Sequence, residues 1–78
     1  MIRAINSEEG LVAVDTCTGF SIFEQTGLDF EIDDFVSWSP ERPSSACEVR
    51  NVSRGRTSRV YFQNHGVPET LLKANLKL

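Results

Sequence analysis

Residues 2–24 read Ile2-Arg3-Ala4-Ile5-Asn6, then Ser7-Glu8-Glu9-Gly10, then Leu11-Val12-Ala13-Val14-Asp15-Thr16, then Cys17-Thr18-Gly19, then Phe20-Ser21-Ile22-Phe23-Glu24. Three short apolar runs are separated by two polar turns that contain glycine. That rhythm is the mark of an antiparallel meander. The first run does not alternate cleanly, which predicts a bulge near Ala4. In the second run Val12 and Val14 share one face, with Leu11, Ala13 and Asp15 on the other. With a turn at Cys17-Thr18-Gly19, the third run places Phe20 and Ile22 inward beside the two valines, and Ser21 and Phe23 outward.

Working outward, residues 25–29 form a loop around Gly27. Phe30, Ile32, Val36 and Trp38 occupy even positions and predict a fourth strand over Phe30–Trp38, interrupted at Asp33-Asp34. Pro40 and Pro43 exclude a ladder over 40–45. A fifth strand is expected over Ala46–Val52. Ser53-Arg54-Gly55-Arg56-Thr57-Ser58 reads as a basic loop, and a short sixth strand follows over Arg59–Gln63. Pro68 suits a first helical position. Val67, Leu71, Ala74 and Leu78 recur at helical spacing, widened by Leu72 and Leu76, which predicts a two-turn helix docked on an open end of a barrel.

The chain has 78 residues, five of them Phe, enough for one domain with one small core. The expectation is a single domain over 1–78, with a barrel over 1–52 and an extension over 53–78. No apolar run reaches the roughly 18 residues of a membrane span, and the N-terminal stretch lacks a signal-like apolar run, so the expected location is cytoplasmic. Cys17 and Cys47 are then expected as free thiols. His65 reads as a solvent-exposed loop residue beside Gly66. No spacing suits a metal site, no nucleophile elbow or phosphate-cradling glycine loop exists, and no cofactor is called for. Asp33-Asp34 reads as a turn rather than an acid pair, because strand neighbours face opposite ways. The chain is therefore expected not to be an enzyme.

Taken together, the pattern predicts a mainly β protein: a small five-stranded OB-like barrel with an extra C-terminal strand and a short α-helix. Residues 2–14 resemble the opening of cold-shock domains, V-K-W-F-N-x-x-K-G-F-G-F-I, without a gap. Gly19–Phe23 resembles that family's D-V-F-V-H strand, Glu31–Trp38 its E-G-x-x-V-x-F strand, and Val49–Val52 its A-x-N-V strand. The resemblance covers residues 2–52 and implies an OB-type barrel that binds single-stranded nucleic acid on exposed aromatic residues. The departures fall on that platform. The exposed Trp becomes Ala4, the two Phe of strand two become Leu11 and Ala13, the Phe and His of strand three become Ser21 and Phe23, and a base becomes Glu9. Since stacking is worth roughly 1–3 kcal/mol per base, binding of the family's kind is not expected on this face.

Charge divides the chain. Residues 1–41 carry nine acids and one base, and residues 42–78 carry seven bases and two acids. Two function classes follow. In the first, Arg42, Arg50, Arg54, Arg56 and Arg59, with Tyr61, bind RNA or single-stranded DNA, because the guanidinium fork suits phosphate. The same arginines could instead neutralise the acidic half. In the second, Leu11, Ala13, Phe23 and Phe35 form an apolar patch for a protein partner or a second copy, unless the C-terminal elements cover it.

Overall fold

The computed structural model describes residues 1–27 and 29–78, so position 28 of the expected 25–29 loop lies outside the described residues. The strands are β1 (Ile2–Asn6), β2 (Leu11–Thr16), β3 (Gly19–Glu24), β4 (Val36–Ser37), β5 (Ala46–Asn51) and β6 (Arg56–Val67). A 3₁₀ turn, Glu69–Leu71, leads into helix α1 (Leu72–Leu76). All pairings are antiparallel, in the order β1-β2-β3-β6-β5-β4. The sheet curls into a half-barrel compatible with an OB-like fold. The expected bulge is present, as the β1–β2 register shifts between Ile2 and Ala4. Both cysteines are free. Among the described residues no helix is long and apolar enough to cross a membrane.

One stitch joins the open side of the sheet. The Ile2 amide donates to the Asp34 carbonyl at 2.9 Å, and the Asp33 amide donates to the Ile2 carbonyl at 2.9 Å. Asp33 has φ 76°, and the Asp34 amide closes a turn onto the Glu31 carbonyl. A positive φ at the third turn position is tolerated by Asp and is followed here by a bulged pairing with β1. This turn corrects the expected fourth strand. Phe30 is buried and Val36 and Trp38 pack inward, but Ile32 is exposed on the turn, so only Val36–Ser37 pairs as strand.

Over β2 and β3 the sheet buries both of its faces. Inside the curl, Ile2, Val12, Val14, Phe23, Phe30, Val49, Val60 and Phe62 form the main core. Phe23 packs edge-on against Phe30 and Phe62, with ring centroids 5.1 and 5.5 Å apart, and Trp38 and His65 close the row against Phe62 at 5.0 and 5.1 Å. Such aromatic pairs add about 0.5–1.5 kcal/mol beyond burial. On the outer face, Leu11, Ala13, Phe20, Ile22, Val67 and Leu76 form a second cluster, with Leu72 beside it.

The inward assignment on β3 is thereby reversed. Thr16 pairs with Gly19, so the turn has two residues, Cys17 and Thr18. Val12 then faces Phe23, and Val14 faces Ser21. A three-residue turn would have matched even positions with even positions. Shortening it by one residue moves every β3 side chain to the other face. The turn passes so close to β6 that a Cβ on Gly19, at φ 111°, would lie 2.9 Å from the Gly66 carbonyl carbon.

The extension is part of the sheet. β6 lies between β3 and β5 and begins at Arg56, so the expected 53–58 loop contracts to a turn over 52–55. Two register shifts opposite β3 bend β6 near its end. The helix docks on the outer face of β2 and β3, not on an open barrel end. Leu76 is 1% exposed, whereas Leu71 and Leu78 face solvent. Asn6 fixes this docking, since its side-chain amide donates to the Leu76 carbonyl at 2.7 Å while its oxygen accepts the Glu8 and Glu9 amides. Leu76→Ala should cost about 2–4 kcal/mol in urea unfolding, and Leu71→Ala should stay within about 0.5 kcal/mol. Equal costs would contradict this docking.

Candidate functional site

The six residues of the arginine-centred reading fall into three places. Arg54 and Arg56 are taken up by ion pairs within the chain. Asp34, almost fully buried, accepts the Glu31 amide at 2.9 Å, the Asn51 side-chain amide at 2.8 Å and Arg54 Nε at 3.0 Å on one carboxylate oxygen. Arg54 also pairs with Glu31, and Arg56 lies 3.9 Å from Asp29. The buried Asn51 amide donates to the Asp29 carbonyl as well, and its oxygen accepts the Arg54 amide. These two arginines pair with three of the nine acids of the first half, Glu31, Asp34 and Asp29.

Arg50, Arg59 and Tyr61 are brought together elsewhere. Val49, Val60 and Phe62 point into the core, so the intervening residues of β5 and β6 point out. Arg50 stands opposite Thr57, Arg59 opposite Glu48, and Tyr61 opposite Ala46. Arg59 and Tyr61 are two residues apart on one strand, about 6.6 Å along it. Among the described residues neither Arg50 nor Arg59 has a carboxylate within ion-pair distance. Glu48 and Glu24 border the face, Glu24 opposite Tyr61 on β3.

Arg42 lies apart from both groups. It lines a cleft of about 380 Å³ where the β2–β3 hairpin meets β4 and the segment that follows it. Trp38, Ser21, Thr18 and Ser37 share the lining.

The apolar patch of the second reading does not form. Leu11 and Ala13 lie under the docked helix, and Phe23 is a central core residue at 0% exposed. Only Phe35 remains outside, at 59% exposed, beside Val52, whose amide donates to the Phe35 carbonyl at 2.8 Å.

His65 is not the free loop residue that its neighbour Gly66 suggested. It is half-buried in β6, stacked on Phe62, with Nε2 2.6 Å from the Pro43 carbonyl and Nδ1 2.8 Å from Ser21 Oγ. A carbonyl only accepts, so Nε2 carries a proton. In the neutral ring Nδ1 then accepts from the Ser21 hydroxyl. No local signal announces this pair, because it spans 44 residues and depends on the β6 bulges. Among the described residues no group of acidic, His or Cys side chains could hold a metal ion.

Set against known proteins, no family model matches the chain, nor does any curated protein or solved structure.

Arg54→Ala should lower stability by about 2 kcal/mol, because it strips a charge partner from a buried carboxylate. Arg59→Ala should stay within about 0.5 kcal/mol. Chemical denaturation of the two variants side by side checks the division between structural and free arginines.

Proposed function

We propose that this chain is a non-enzymatic binding module that takes single-stranded nucleic acid on the outer face of β5 and β6. The observation that carries the reading is that Arg50, Arg59 and Tyr61 share one exposed face while Arg54 and Arg56 are engaged by carboxylates of the chain itself. Two guanidinium groups with no carboxylate within ion-pair distance among the described residues supply phosphate contacts, and the Tyr61 ring supplies a stacking surface for a base. The curled antiparallel sheet supports an OB-like barrel related in plan to cold-shock domains. In this reading the binding face has moved from β2–β3, now covered by the helix, to β5–β6.

Salt dependence and aromatic truncation test it. With two phosphate contacts on a single strand, log K should fall against log salt with a slope of about −1.4, and Arg50→Ala or Arg59→Ala should each remove about half of it. Tyr61→Ala should cost about 1–3 kcal/mol with the slope unchanged. Amide shifts on titration with short RNA and DNA, confined to β5 and β6, would locate the site. Their absence at low salt would exclude the reading. The exposed pair Phe35 and Val52 supports a second reading, contact with another protein or a second copy at the β4 edge, which would tolerate salt.

A further inference from the structure

We infer that the cleft around Arg42 is a separate binding site for a nucleoside 5′-phosphate, as the free nucleotide or as the phosphorylated end of a strand. The inference begins with where the hydrogen-bonding capacity of the cleft is already spent. Thr16 Oγ1 donates to the Gly19 carbonyl and accepts the Thr18 amide, so it has little left to offer. The Trp38 indole N–H donates to the Glu41 carbonyl at 2.9 Å, leaving the ring as an apolar wall. With the His65 ring neutral, the Ser21 proton is directed at Nδ1 and Ser21 Oγ presents only lone pairs to the cleft. Asp15 is engaged by Arg3 at 3.1 Å.

What remains is ordered by type. The Arg42 guanidinium has no carboxylate within ion-pair distance among the described residues. It lies against the Gly66 backbone, since a Cβ there would be 3.5 and 3.8 Å from its two terminal nitrogens. The Thr18 hydroxyl donates to Thr16 Oγ1 at 3.4 Å, and Ser37 shares the outer face with its register partner Arg50, so the guanidinium fork is the donor on this wall, and it suits a tetrahedral oxyanion. Ser21 Oγ on the floor accepts an N–H or O–H from the ligand, and the indole covers a flat ring. An anion at one end, a ring in the middle and a donor on the sugar or base describe a nucleoside monophosphate. The volume, about 380 Å³, lies near the lower end for ligand sites and fits one nucleotide. Ser37 pairs with Arg50, so the rim of the cleft adjoins the β5–β6 face and a strand could end there.

Among the described residues Glu41 has no cation within ion-pair distance, and as a carboxylate on this rim it opposes a phosphate. That gives the inference a gain-of-affinity test that misfolding cannot imitate. Calorimetry and amide NMR would be run with the full chain and adenosine monophosphate, adenosine and inorganic phosphate at millimolar concentration. The expected result is that the monophosphate shifts Thr18, Ser21, Ser37 and the Trp38 indole and binds more tightly than adenosine. Arg42→Gln should weaken it at least about tenfold. Glu41→Gln should tighten it roughly two- to fivefold, and Lys73→Gln should change nothing. Equal binding of adenosine and its monophosphate, no shifts in the cleft, or weaker binding by Glu41→Gln would overturn the inference. Oligonucleotides with and without a 5′-phosphate separate the two sources. A preference for the phosphorylated end places a strand terminus in the cleft, and monophosphate binding without that preference assigns the free nucleotide. Oligonucleotide binding without monophosphate binding overturns the cleft alone. Monophosphate binding without oligonucleotide binding overturns only the β5–β6 reading.

Discussion

The fold depends on one buried carboxylate. Asp34 sits where β1, the turn before β4 and the β5–β6 turn converge, and a single oxygen of its side chain accepts three donors. Its own backbone carbonyl accepts the Ile2 amide, the stitch across the open side of the sheet. A carboxylate withdrawn from water is costly unless it is paired and hydrogen-bonded, and here it is both. The consequence is a constraint on the surrounding chain. Asn51, Arg54 and Glu31 must be where they are for the charge to be tolerated, so two loops distant in sequence are held against β1.

That constraint changes what the charge pattern means. A basic half following an acidic half suggests a face made for an external anion. Two of its seven bases, Arg54 and Arg56, instead answer Glu31, Asp34 and Asp29 of the same chain. The arginines left over are those with no carboxylate within ion-pair distance among the described residues. Arg50 and Arg59 stand on the convex face beside Tyr61, and Arg42 rests on the Gly66 backbone at the cleft. Position in the sheet, not residue type, separates the structural cations from the available ones.

The double-sided burial of β2 and β3 has a similar effect on apolar residues. Leu11 and Ala13 look like a vacated binding platform when the first half of the chain is read alone. They are a docking surface for Leu72 and Leu76, tied down by Asn6 at the helix end. A domain of this size buries a modest fraction of its surface, so a second cluster outside the curl adds materially to stability. The covered face is therefore closed to ligands by the same contacts that stabilise the domain.

The sequence by itself determined the local elements: the N-terminal meander, the bulge near Ala4, the turn at Ser7–Gly10, and a short helix after Pro68. These are legible because turn residues and side-chain periodicity act over a few positions. Tertiary structure decided the rest. A turn of two residues rather than three chose the inward face of β3, sending Phe23 into the core and Phe20 out. The alternation over 30–38 suggested a strand, but the Asp33 turn and the Asp34 network broke it. The β6 bulges carried His65 inward to Ser21 and Pro43. Each of these outcomes rests on partners dozens of residues away. Burial, charge compensation and register are properties of pairs, and no single stretch of chain contains both members.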